Sequence, residues 1–164
     1  MAKPTKNATP ICIILSIIAV IGIVIGLLTG YTIAMIIGLL PTAIYEIYRT
    51  EGKSTKASSI LLLVILIAEL VLIIFNINFN LAEYLGTTEK TIAGYLVPLG
   101  DVKIVGPTVM AVLSIILFVR TYGKYTKWLA VVIFITSFGI IYSIDPAIFK
   151  DLFQYAVEEG IDEI

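Results

Sequence analysis

The sequence has no histidine, a single cysteine (Cys12) and few charged residues, 14% of the chain. Each shortage closes off a class of chemistry. Without histidine, haem ligation through imidazole, histidine-based zinc sites and histidine-assisted nucleophiles lose their ligand or base. One cysteine cannot ligate an iron–sulfur cluster or close an intramolecular disulfide. No phosphate loop, dinucleotide fingerprint, His-Glu metalloprotease motif or serine elbow is present. The chain alone is therefore expected to be no enzyme and to carry no cofactor and no metal. The net charge of −1 gives no reason to expect nucleic-acid binding.

What fills the sequence instead is apolar. Of the 164 residues 59% are hydrophobic and the mean hydropathy is +1.05. A soluble domain has closer to half apolar and a quarter charged residues. Four apolar stretches stand out: Ile11 to Tyr48, Ile60 to Phe75, Ile104 to Val119 and Trp128 to Ile144. A helix needs roughly 20 apolar residues to cross ~30 Å of hydrocarbon. The last three stretches suit one crossing each. The first would be about 57 Å long as one helix at ~1.5 Å per residue, enough for two short spans turning near Thr29-Gly30-Tyr31.

Charge separates the two arrangements. Cytoplasmic loops collect Lys and Arg close to span ends. With five spans and the N-terminus inside, the inner side holds Lys3, Lys6, Arg49, Lys53, Lys56, Arg120, Lys124 and Lys127, and the outer side only Lys90, Lys103 and Lys150. With four spans the amino-terminal lysines move outside and the bias nearly vanishes. The sequence therefore predicts an all-α integral membrane protein, a single helical domain over 1–164, with spans near 11–28, 32–48, 58–76, 104–120 and 128–144. It would be multi-pass in the cell membrane, with the N-terminus cytoplasmic and the C-terminus outside.

One pattern favours the alternative. Gly22, Gly26, Gly30, Ala34, Gly38 and Thr42 recur every four residues, as on the face of one unbroken helix over 11–48, kinked at Pro41, which would leave four spans. Small residues at that spacing let helix backbones approach closely, so helix packing is their expected role in either case.

Lys3, Lys6 and the apolar run from Ile11 have the outline of a secretory signal. The run is too long and no small-residue cleavage site follows, so it reads as a retained anchor. Tyr45, Tyr48, Tyr122, Tyr125 and Trp128 gather on the proposed inner side, where amphipathic rings prefer the interface. The outer segment Asn76–Lys103 is mixed and punctuated by Gly94, Pro98 and Gly100, and sequence does not decide whether Tyr95–Gly100 re-enters the bilayer. Pro107 is placed to open the fourth helix. At the tail, Asp145-Pro146 reads as an N-cap and a first-position proline, followed by an acidic amphipathic surface helix over 146–161. That helix rests either on the membrane surface or on a neighbouring protein.

Glu69 is the sharpest signal for function. Counted from Ile60, it falls about 14 Å into its span at ~1.5 Å per residue, near the bilayer midplane. Insertion scales charge roughly 2.5–3.5 kcal/mol for an Asp at such a position. An intramembrane carboxylate calls for a role and a partner. With no Lys or Arg expected at that depth, the candidates are Thr32, Thr42, Ser114, Thr136, Ser137 or another subunit. Glu69 reads as an ion-relay group, as a polar contact that fixes helix pairing, or as a tolerated neutral acid. Glu46 is explained either by a surface ion pair with Arg49 at i+3 or as the inner mouth of a path to Glu69.

Gly30-Tyr31-Thr32-Ile33-Ala34-Met35 resembles the GYTxAM string of the sixth mitochondrially encoded subunit of respiratory complex I, whose bacterial counterparts are five-span proteins of similar length. Paired membrane glutamates such as Glu46 and Glu69 are similar to those of small subunits in that superfamily, which includes cation antiporter complexes and archaeal energy-converting hydrogenases. The string covers six residues and sits by the second span, where the family has it in the third helix, so no residue role is carried over. Glu69 with no expected partner in the chain, the small-residue face and the acidic tail lead to the expectation of a small non-catalytic integral subunit of a larger membrane complex, such as a proton- or sodium-translocating redox complex, with the lipid bilayer and other membrane subunits or further copies of the chain as partners. A homo-oligomeric ion channel or small-solute transporter, and a membrane scaffold or assembly factor, are the alternatives.

Overall fold

The computed structural model describes residues 7–77, 89–92, 95–98, 102–147 and 150. Five long helices account for most of them: α1 Ala8–Thr29, α2 Thr32–Arg49, α3 Lys53–Ile74, α4 Val102–Arg120 and α5 Lys124–Ile144. Each is long and apolar enough to cross a membrane, which is compatible with a multi-pass membrane protein. Between α3 and α4, β1 (Glu89–Ile92) pairs antiparallel with β2 (Tyr95–Pro98), Glu89 opposite Pro98 and Ile92 opposite Tyr95. Tyr95–Pro98 is thus one arm of a hairpin. The surface helix expected over 146–161 lies almost wholly outside the described residues. At its start the Asp145 carboxylate accepts the Ala147 N–H at 2.9 Å, as an N-cap does.

The first apolar stretch is two helices. Gly30 adopts a left-handed backbone (φ 71°) that a Cβ would disfavour, and Tyr31 is extended. The Thr29 hydroxyl donates to the Ile25 carbonyl at 2.6 Å and accepts the Tyr31 N–H at 3.3 Å, closing the corner. The continuous helix is therefore overturned. The glycine spacing survives because it is symmetric about Gly30: folding there lays Gly22 on Gly38. A Cβ on Gly22 would come 2.8 Å from the Ala34 carbonyl oxygen and 3.2 Å from the Gly38 Cα, so the two backbones touch.

The helices form a ring in chain order that closes between α5 and α1, and α2 and α5 also touch across it. One end, called here the basic end, gathers Arg49, Lys53, Lys56, Arg120, Lys124 and Lys127 at or beside the helix termini. The far end carries the Gly30 corner. On α1 the buried residues are Ala8, Cys12, Leu15, Ala19, Gly22 and Gly26, alternating three and four apart as a helix seam requires. Its other faces are exposed Ile, Val and Leu, including Ile14, Val20 and Leu28.

The polar residues are distributed the opposite way. Thr42, Glu46, Thr50, Ser59, Glu69, Ser114, Thr136 and Ser137 are all buried. Most interior hydroxyls satisfy themselves locally: Ser114, Thr136 and Ser137 donate to carbonyls three or four residues back. Pro107 does not open α4. That helix begins at Val102 and Pro107 lies inside it.

Candidate functional site

Both glutamates singled out in the sequence are buried, Glu46 at 0% and Glu69 at 1% exposure. They occupy different levels of the bundle.

Glu46 lies near the basic end of α2, on the stripe that carries Thr32, Met35, Leu39 and Thr42 inward. The Thr50 hydroxyl, one turn on, donates to Glu46 Oε1 at 2.8 Å, and the Ser59 hydroxyl donates to Thr50 Oγ1 at 3.1 Å. Ser59 belongs to α3, so this buried chain ties the two helices across their short connection. The second carboxylate oxygen, Oε2, is buried and has no hydrogen-bond partner among the described residues; the same holds for Thr42 Oγ1, one turn earlier. Glu46 is enclosed and not on the helix surface as expected, and Arg49 at i+3 acts on it electrostatically. Arg49 is half-buried, with its guanidinium 5.0 Å from the centre of the Tyr125 ring. The Tyr125 hydroxyl in turn shares a 2.8 Å hydrogen bond with Thr9.

The remaining aromatic residues expected at this end are found there. Tyr45 and Tyr48 stack at 5.9 Å. Trp128 Nε1 donates to the Ser16 hydroxyl at 2.9 Å, tying α5 to α1. Tyr122 is fully exposed. Cys12 is buried with Leu15 and Leu129, beside Tyr45 and Tyr125.

Glu69 lies toward the far end of α3. Because α3 starts at Lys53, Glu69 is about 24 Å from its start and within about 8 Å of its end at ~1.5 Å per residue. Its carboxylate lies over Gly106 of α4: a Cβ on that glycine would overlap Oε2, and Ile65 flanks the same spot. Gly106 therefore makes the room that Glu69 occupies. Lys103 is one turn before Gly106, and its Nζ reaches Asn76 Oδ1 at 3.4 Å just beyond α3. Of the hydroxyls offered as partners, Thr32 bonds Ser143 at 3.0 Å, and Ser114, Thr136 and Ser137 donate within their own helices.

An apolar cluster packs the interior between α2, α3 and α4. Leu39 of α2, Leu62 and Leu66 of α3, and Met110 and Leu117 of α4 belong to one buried cluster, and Leu62 and Leu66 are the buried residues of α3 between Ser59 and Glu69. The buried hydroxyls of the neighbouring helices, Ser114, Thr136 and Ser137, donate to carbonyls of their own helices.

Sequence reading missed Thr50, Ser59 and Gly106. The first could have been found from Thr42, Glu46 and Thr50, which repeat at four-residue intervals as one polar stripe. Ser59 and Gly106 acquire their roles only through the packing of α3. No protein-family model, curated protein or solved structure matches the chain.

Proposed function

We propose that the chain is a five-span integral membrane protein, N-terminus cytoplasmic, that serves as a non-catalytic subunit of a larger membrane complex, one that moves protons or sodium. The observation that carries this reading is the pair of enclosed carboxylates held apart by the Leu39–Leu62–Leu66–Met110–Leu117 layer. Carboxylates inside an apolar-coated bundle are costly and mark ion or proton sites or helix contacts. A chain that conducted alone would need a connected polar path between the acids, whereas the mid-level hydroxyls of Ser114, Thr136 and Ser137 close on carbonyls of their own helices beside the leucine and methionine cluster. The acids are therefore placed to serve a path completed by neighbouring subunits, with the basic end toward the cytoplasm. Exposed Ile, Val and Leu on α1 and elsewhere suit lipid or the apolar face of a partner helix.

Affinity purification in mild detergent tests the reading, with co-purifying membrane subunits as the expected result. Recovery of a monomer or homo-oligomer alone contradicts it. A liposome flux assay on the pure chain addresses the rival channel reading: ion flux that disappears in Glu69→Gln would establish a self-sufficient transporter. A scaffold without any ion path predicts that Glu69→Gln alters association and leaves transport by the complex untouched.

A further inference from the structure

We infer that one water molecule is held between Glu46 Oε2 and Thr42 Oγ1, completing a buried proton-exchanging chain from Thr42 through Glu46 and Thr50 to Ser59. The inference deepens the proposed function: it makes the proton, and not sodium, the ion served at the basic end.

The geometry leads there in steps. Thr42 and Glu46 are one helical turn apart on the same face of α2, both at 0% exposure. Each presents a buried oxygen with no hydrogen-bond partner among the described residues. Buried polar atoms are almost always satisfied by protein or by ordered water. Thr42 also differs from its counterparts. Ser16, Thr121, Thr136 and Ser137 turn their hydroxyls back to the carbonyl four residues earlier, whereas the Thr42 hydroxyl makes no such bond. Two unpartnered oxygens one helical turn apart, one of them also a donor, are the minimum that an internal water requires. The other carboxylate oxygen is already fixed by Thr50, itself fixed by Ser59, so Oε2 is the atom left to exchange a proton.

The surroundings argue against a metal cation in the same place. Arg49, one turn along α2, acts electrostatically on Glu46, and its positive charge opposes a second cation there. The groups on the neighbouring helices are Cys12 from α1, Ser59 from α3 and Tyr125 from α5; none is acidic. Hard cations gather about six or more oxygens, and this locus offers few. In the transfer itself, an excess proton arriving on the water passes to Oε2, which leaves a neutral water and a carboxylic acid, while Thr50 continues to donate to Oε1.

The experiment is infrared difference spectroscopy of the purified full chain in lipid nanodiscs, exchanging ordinary water for oxygen-18 water. The expected result is an O–H stretching band that shifts with the isotope, is present in wild type and Thr42→Ser, and is lost in Thr42→Val. Absence of the band in wild type, or its persistence in Thr42→Val, overturns the inference. A second arm compares thermal unfolding in sodium chloride and choline chloride. Equal midpoints are expected, and sodium-specific stabilisation that vanishes in Glu46→Gln would replace the water with a cation. Neither arm depends on partner subunits, so a chain that purifies alone yet shows the band loses the subunit reading and keeps this one.

Discussion

The α1–α2 seam and the seams made by α3 solve the same packing problem with opposite materials. Along α1–α2 the contact is backbone on backbone: Gly22 and Gly38 give up their side chains so that two apolar helices meet closely. Along α3 polar groups flank the apolar contact of Leu62 and Leu66 at both ends. Ser59 and Thr50 reach Glu46 on α2, and Glu69 fills the hollow over Gly106 on α4. In lipid, where apolar side chains gain little by leaving their surroundings, both devices are available: close approach multiplies dispersion contacts, and buried hydrogen bonds supply direction. The difference lies in tolerance. A seam made of backbone has nothing that can move aside, whereas one closed by the tip of a glutamate can adjust.

That contrast is open to breakage, most forcefully at Gly22. A leucine there meets the Ala34 carbonyl and the Gly38 Cα, so Gly22→Leu should cost about 3 kcal/mol as an overpacked contact. Denaturant unfolding followed by the fluorescence of Trp128, which bridges α5 and α1, measures it. Next in size is Glu46→Leu, expected to cost about 2 kcal/mol because Thr50 loses its buried acceptor. The same assay on the Glu46→Leu/Thr50→Val double variant should give less than the sum of the single losses, as residues sharing one hydrogen bond do. At Gly106 an added methyl confronts only the end of a flexible side chain. Gly106→Ala should therefore cost about 1 kcal/mol, and that cost should disappear when Glu69 is already alanine. A Gly106→Ala penalty equal to that of Gly22→Leu would erase the distinction between the seams. Of the same size is Gly30→Ala, about 1 kcal/mol for a side chain in the left-handed region, with helix content by circular dichroism unchanged.

The helices were legible because apolar runs end at short basic or glycine-containing turns, and their predicted ends fall within a few residues of those found. Where reading failed, the cause was register. The segment 53–57 looks like loop, being polar, yet it forms the first turn of α3, so Glu69 falls nearer the end of its helix than the middle. The four-residue glycine period was ambiguous in principle, since a repeat symmetric about Gly30 describes one long face or two facing helices equally well. Only the basic residues separated these. The burial of Glu46 could not be read from Tyr45-Glu46-Ile47-Tyr48-Arg49, because an i+3 arginine is as common beside a surface carboxylate as beside an enclosed one. The Ser59 link depends on a contact between helices, which no local pattern encodes.

The proposed arrangement has five helices crossing a bilayer with their carboxylates inside. Its most direct test is labelling of single cysteines by a membrane-impermeant maleimide in intact cells, with Cys12 replaced by alanine. Tyr31, exposed at the corner of the first hairpin, and Ser54, exposed at the opposite end of the bundle, are the positions to compare. Tyr31→Cys should react in intact cells and Ser54→Cys only after permeabilisation. Equal labelling of the two, or reaction of Ser54→Cys alone, would contradict the arrangement.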